Sequence, residues 1–241
     1  MDLGISGRRA AVAAATSGLG LESARALAAE GVQVAICGRT TERVEAAAAD
    51  IGNGCVPIVA DVSSPEGAAG FVDDAAAALG GVDILVPNAG GPPPGTFEST
   101  PVEAYPDALD LNLMSVVAMC KAAVPAMRDR GWGRVVAITS VSVRQPIGTL
   151  ILSNTARAGA TAFLKTLALE LADDGVTVNS VQPGLHATGR TEALYGDALA
   201  QMRTGAASDF GAIVAFLCSE HARFTTGVHL PVDGGSYVGL Q

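Results

Sequence analysis

The chain has 241 residues, a formal net charge of −9 at pH 7, and 49% hydrophobic but only 4% aromatic residues. That length suits one α/β domain whose core is built from Ala, Val and Leu, and an acidic chain with no basic patch excludes nucleic acid as its partner. No HExxH spacing, no CxxC pair among Cys37, Cys55, Cys120 and Cys218, no signal-like start and no uncharged apolar run of about 20 residues point to a metal-free, soluble, cytoplasmic protein without a membrane partner.

Short apolar runs alternate with longer helical patterns from the first residues onward. Residues 10–16, AAVAAAT, read as a buried strand, and GLESARALAAEG follows with Leu21, Ala24, Leu27 and Ala28 at helical spacing. Gly31 is placed to close that helix. Between the strand and the helix lies AAATSGLG (13–20), where Ser17, Gly18, Leu19 and Gly20 open the helix. Unpaired amides and the dipole at such a start suit a pyrophosphate.

A second strand, 32–38, ends in CGRT, and a helix over TERVEAAAADIG follows it. Dinucleotide folds that take NAD often carry an acid at this strand end, for the ribose 2′-hydroxyl. Here Gly38 is followed by Arg39, whose fork would instead clamp a 2′-phosphate; a solvated surface arginine is the alternative. The third strand, 55–61, ends at Asp61 and is followed by Val62; Asp61 is placed to accept a hydrogen bond from an adenine amino group. The fourth, 82–89, runs into Asn88, Ala89 and Gly90, a turn beside the cofactor, and then into GGPPPG (90–95), too proline-rich for helix or central strand. Strands at 133–140, 176–183 and 227–235 complete the set.

Strands apolar on both faces, alternating with helices, imply a parallel sheet covered on both sides. The expected fold is a single Rossmann-type domain over residues 1–241, a doubly wound parallel sheet with helices on both faces.

Taken together, PNAG (87–90), residues 111–140 through TS, VNSVQPGLHAT (178–188) and LPVDGGS (230–236) resemble the short-chain dehydrogenase/reductase family over essentially the whole chain. The resemblance implies hydride transfer between a nicotinamide cofactor and a carbonyl or alcohol. It also implies nicotinamide contacts from Pro183, Gly184 and Thr188, and a homotetramer built through helices near 105–129 and 154–173. With Arg39, the cofactor expected is NADP(H). Two departures stand out. The family's phosphate turn, TGxxxGIG, has become a run in which Ala14 replaces the first glycine. The family's tetrad of Asn, Ser, Tyr and Lys maps onto Asn112, Ser140, Ser153 and Arg157, so a serine stands where the tyrosine is expected and an arginine where the lysine is.

A serine hydroxyl is a far weaker acid than a phenol with pKa near 10, and a guanidinium cannot relay a proton. Arg157 keeps a cation positioned for the nicotinamide ribose. Candidates for the missing proton donor are His186, Tyr195, a water held by the serines, or the substrate itself, with core or surface packing the alternative for both side chains. Arg144 is placed either to meet a substrate carboxylate or to be solvated. The leading expectation is an NADPH-dependent oxidoreductase of a small, mainly apolar substrate with an altered proton-transfer step. The alternatives are a non-redox lyase, isomerase or dehalogenase on the same fold, and an inactive NADP(H)-binding protein.

Overall fold

The computed structural model describes residues 2–240. Its seven strands are β1 (Arg9–Val12), β2 (Gln33–Gly38), β3 (Val56–Val59), β4 (Ile84–Val86), β5 (Gly133–Ile138), β6 (Val176–Pro183) and β7 (His229–Val232). They form one sheet in the order β3-β2-β1-β4-β5-β6-β7, every pair parallel. The helices are α1 (Gly18–Ala29), α2 (Thr41–Ile51), α3 (Pro65–Leu79), α4 (Tyr105–Leu109), α5 (Ser115–Asp129), α6 (Ile151–Glu170), α7 (Gly189–Tyr195) and α8 (Ala207–Cys218).

Alternate strand residues feed two cores. Ala10, Val12, Val34, Ile36 and Ile84 join Leu27 of α1, Val44 of α2 and Phe210 of α8 on one face. Ala11, Ala35, Leu85, Val135 and Val178 join Phe71 of α3, Met119 of α5 and Leu164 of α6 on the other. That double burial is why the strands read as continuous apolar runs. The expected doubly wound sheet with helices on both faces is what forms. The helical stretch Val102–Asp129 is apolar and long enough to cross a membrane by composition. Its Met119, Cys120, Ala123, Val124 and Met127 nevertheless pack into the second of these cores.

Several boundaries differ from the sequence reading, for local reasons. The first strand stops at Val12 rather than Thr16 because the chain turns at Ala14, whose φ is +47°. The turn is held by Ala13 N–H donating to Val86 O (3.1 Å), Ala15 N–H to Cys37 O (3.1 Å) and Ala14 N–H to Cys37 Sγ (3.3 Å). A left-handed alanine costs on the order of 1 kcal/mol, so the missing glycine is tolerated as local strain. Gly31 does follow α1 with φ +78°. The last strand shrinks to His229–Val232, since Gly227, Gly234 and Gly235 have left-handed φ values.

Along α6, one of the helices through which assembly is expected, most apolar side chains turn inward. Leu164 and Leu171 are buried in the protomer's own core, and Phe163 and Leu167 pack against it. The outward apolar side chain of α6 is Leu169, 70% exposed.

The chain runs β1, β2, β3 in one direction, then returns to place β4 on the other side of β1. Strand order therefore reverses between β1 and β4, and ligands of such sheets bind in the crevice beyond the carboxyl ends of the strands at that reversal.

Candidate active site

A cavity of about 1030 Å³ occupies that crevice. It runs from the β1–α1 turn, past the ends of β2 and β3, to the loops after β4, β5 and β6. Ser17, Gly18, Leu19, Gly20, Arg39, Asp61, Val62, Asn88, Ala89, Gly90, Ser140, Ser153, Arg157, Pro183, Gly184 and Thr188 all line it. Asn112 does not.

At the β1 end, the N-cap Ser17 makes no side-chain capping bond. The first amides of α1 thus keep their donors for a ligand. Gly20 has no room for a side chain: a Cβ there would lie 2.8 Å from Asn88 Nδ2 and 2.9 Å from Ala14 O. Asn88 donates to both Ala13 O (3.1 Å) and Ala14 O (3.2 Å), pinning the two loops at the reversal point together.

Arg39 is exposed at the end of β2, and Arg43 follows one turn later in α2; both line the cavity and neither is ion-paired among the described residues. Arg43 was not singled out in the sequence, although its four-residue spacing from Arg39 at a helix start was a usable signal. Asp61 accepts from Ser63 N–H at 3.0 Å. Gly67 lets α3 start hard against the same residue, where a Cβ would collide with Asp61 O.

Asn112 lies in a π turn, Asp110–Met114, joining α4 to α5, and is 2% exposed. Its Nδ2 donates to Gly90 O at 2.8 Å and to Leu111 O at 3.2 Å. That bond holds the Gly90 loop, while Asn112 Oδ1 is buried without a hydrogen-bond partner among the described residues.

Ser140 and Ser153 stand at the β5 end with Arg157. Ser140 Oγ accepts from Ser142 N–H at 3.1 Å, and Ser153 Oγ accepts from Arg157 Nε–H at 3.3 Å. Each oxygen already holds a donor, so each hydroxyl proton is left to be given elsewhere. Arg157 also donates from Nη1 to Ile138 O at 3.1 Å. Burial first, and then the positive charge of Arg190, push its pKa down to about 10. At neutral pH it remains a cation.

The third wall is the segment after β6. Thr188 and Thr191 form a reciprocal capping box at the start of α7, which fixes the chain where it passes the cavity. Gly184 sits against Asp233, where a Cβ would approach to 2.6 Å. His186 is 3% exposed, with its ring edge-on to Phe210 at 5.4 Å and its Nδ1 3.3 Å from Gly184 O. His186 also lines the cavity. Tyr195, the last residue of α7, lines the cavity, as does Tyr237 of the C-terminal tail. Arg144 turns away from any substrate: Nε donates to Gln182 Oε1 and Nη2 to His229 O, each at 2.7 Å.

Among the described residues, no group of three or more His, Cys, Asp or Glu side chains could hold a metal ion. The four thiols are free, and burial pushes Cys37, Cys120 and Cys218 up to about 12 and Cys55 up to about 11.

Fold and site together define a dinucleotide-binding α/β protein. A family model described as Enoyl-(Acyl carrier protein) reductase matches residues 13–237. Dehydrogenase/reductase SDR family member 4 of Bos taurus is 35% identical over 240 residues, covering 94% of this chain and 86% of that protein. The chain belongs to the short-chain dehydrogenase/reductase family. Among solved structures, the L-sorbose reductase of Gluconobacter frateurii, complexed with NADPH and L-sorbose, superposes with a TM-score of 0.92 at 30% identity over 100% of both chains. An NADPH-bound short-chain oxidoreductase from Pseudomonas aeruginosa PAO1, described as containing an atypical catalytic center, has a TM-score of 0.88 at 30% identity, covering 96% of this chain and 97% of that one.

Proposed function

We propose that the chain is an NADP(H)-dependent oxidoreductase that reduces a carbonyl, or oxidises an alcohol, on a small and mainly apolar substrate. The observation that carries this reading is one continuous cavity. It joins free helix-start amides, the Arg39–Arg43 pair and a Ser140–Ser153–Arg157 cluster. The NADPH-bound relatives support the choice of cofactor.

The residues present fit that cofactor. The α1 amides suit the pyrophosphate, and the close approach at Gly20 leaves backbone at the surface there. Arg39 and Arg43 suit the 2′-phosphate, Asp61 the adenine, and Arg157 the nicotinamide ribose, with Pro183, Gly184 and Thr188 around the ring. When bound, NADPH supplies a hydride for a carbonyl carbon. The two serine hydroxyls donate toward the carbonyl oxygen, and Arg157 polarises Ser153 while holding positive charge near the developing oxyanion. Neither serine is an acid of the strength the family's phenol provides. The proton that completes the alcohol comes through them from water, from His186 or Tyr195, or from the substrate. Ser153 in place of a phenol also supports a second reading, an NADP(H)-binding protein that does not turn over.

Titration of nicotinamide fluorescence, followed by hydride transfer across a carbonyl panel, separates the two readings. Arg39→Asp is expected to weaken NADPH binding about ten-fold or more, the equivalent of losing one charge-assisted contact. Tighter binding of NADH than of NADPH to the unaltered protein would overturn the assignment.

The protein is further proposed to be a homotetramer, as family membership suggests. Light scattering at micromolar concentration reads the assembly directly, and a monomer would reject it.

A further inference from the structure

The cavity gathers positive charge from several walls. Its lining includes four arginines, Arg39, Arg43, Arg157 and Arg190, and a single carboxylate, Asp61. This is an unusual balance in a chain whose net charge is −9. Arg39 and Arg43 are accounted for by the 2′-phosphate, and the pyrophosphate by the amides of α1. Asp61 lies beyond β3, and three strands, β2, β1 and β4, separate it from the β5 end where Ser140 and Arg157 stand.

Arg190 has no part in that scheme, and Arg157, which suits the nicotinamide ribose, lines the same cavity. They approach the cavity from different walls, Arg157 from α6 and Arg190 from α7. Arg190 Nη2 donates to Pro92 O at 2.9 Å, and its guanidinium lies over Gly91, where a Cβ would come within 2.7 Å of it. Neither guanidinium is paired with a carboxylate among the described residues. Burial first, and then the positive charge of Arg190, hold Arg157 below its ordinary value. Arg190 is exposed and Arg157 is not, and two like charges lining one cavity favour an anion there. The nicotinamide ring cannot supply it, being neutral when reduced and cationic when oxidised. Around the pair, Val141, Ile147, Leu150 and Leu194 offer apolar walls, and Ser140 and Ser153 offer donors for a carbonyl oxygen.

We propose that Arg190, with the cavity-facing edge of Arg157, is a carboxylate site, and that the substrate is an oxo acid or hydroxy acid with an apolar body. The proposal rests on the oxidoreductase reading and sharpens it: the acid group anchors the substrate while the serines receive its carbonyl. Arg190 is then the specificity-determining residue, reached from a segment that carries no recognisable motif.

The test uses hexanoate and its neutral isostere hexanamide, titrated calorimetrically into the NADPH-loaded protein. Hexanoate is expected to bind about ten-fold more tightly or better, as a charge-assisted contact implies. Arg190→Gln should erase most of that preference, Arg190→Lys should keep part of it, and the NADPH affinity of both variants should stay within about two-fold. Equal binding of the two probes, or no measurable binding of hexanoate, overturns the proposal and leaves Arg190 a solvated side chain. Loss of NADPH affinity in Arg190→Gln with the hexanoate preference intact also overturns it, and assigns Arg190 to the cofactor's pyrophosphate. Failure of the unaltered protein to bind NADPH would instead sink the oxidoreductase reading. In that case the same titration on the ligand-free protein still decides the carboxylate site.

Discussion

Asp83→Asn is expected to destabilise the protein by about 3 kcal/mol without altering cofactor affinity per folded molecule. Asp83 precedes β4 at the end of the sheet away from the cavity, and its side chain is 4% exposed. Arg9 binds it with both edges of the fork, Nε to Oδ2 and Nη2 to Oδ1, each at 2.7 Å, and Arg130 Nε lies 3.3 Å from Oδ1. Arg9 N–H adds a further bond to Oδ2 at 3.1 Å. Through its backbone the same residue ties β1 to β5: its N–H donates to Arg9 O at 2.8 Å and its carbonyl accepts from Arg134 N–H at 3.0 Å. Burial pushes the Asp83 carboxyl upward, but the hydrogen bonds and charges of Arg9, with Arg130, outweigh it and hold the pKa below its usual value.

The sign of the pH dependence follows. A carboxyl whose folded pKa lies below its unfolded value contributes stability that is fully present above about pH 4 and is lost as pH falls through the folded value. The deficit of Asp83→Asn should therefore be largest at neutral pH and shrink below about pH 4. In thermal melts it should appear as a drop of about 6–12 °C for a domain of this size. A neutral-pH shift under about 2 °C would show that the ion pair's desolvation cost cancels its gain.

Asp83 shows where the sequence is silent. It sits in VDILVPNA, which reads as an apolar strand with one acid at its start, and nothing local says that Arg9, 74 positions earlier, will meet it. The sheet itself was legible because strands buried on two faces write long apolar runs, and turns such as Gly18–Gly20 and Asn88–Gly90 lie at the joints between runs. Boundaries were less legible where a single residue turns the chain: Ala14 reads as part of an apolar strand, yet takes a left-handed conformation. In the site, the residues at strand ends could be found because topology forces strand ends together. Asn112 could be found from its motif, but not the π turn that brings its Nδ2 onto Gly90 O. Arg190 was passed over and Arg144 considered in its place. Which of two arginines faces a cavity depends on the path of the segment after β6, and spacing does not record that path.

The largest kinetic effect is expected from restoring a phenol. Ser153 and Arg157 are one turn apart on α6, and the 3.3 Å bond from Arg157 Nε to Ser153 Oγ shows that the two positions meet. Both face the cavity, whose volume of about 1030 Å³ leaves room for a ring at residue 153. In Ser153→Tyr with Arg157→Lys, the ammonium would favour the phenolate, lowering the phenol's pKa from near 10. A positioned general acid contributes about 10²–10⁴-fold, so turnover on a responsive ketone should rise by about 10²-fold or more. Ser153→Ala alone should cost only about 1 kcal/mol, or several-fold, because it removes one hydrogen bond and no acid. A loss of three orders of magnitude in Ser153→Ala, with NADPH binding intact, would instead make Ser153 the central catalytic group and the serine-relay reading wrong. If the double variant binds NADPH as the unaltered protein does yet reduces no carbonyl, the hydride is not presented to the β5 end of the cavity. The chain would then be a nucleotide-binding protein built on a reductase frame.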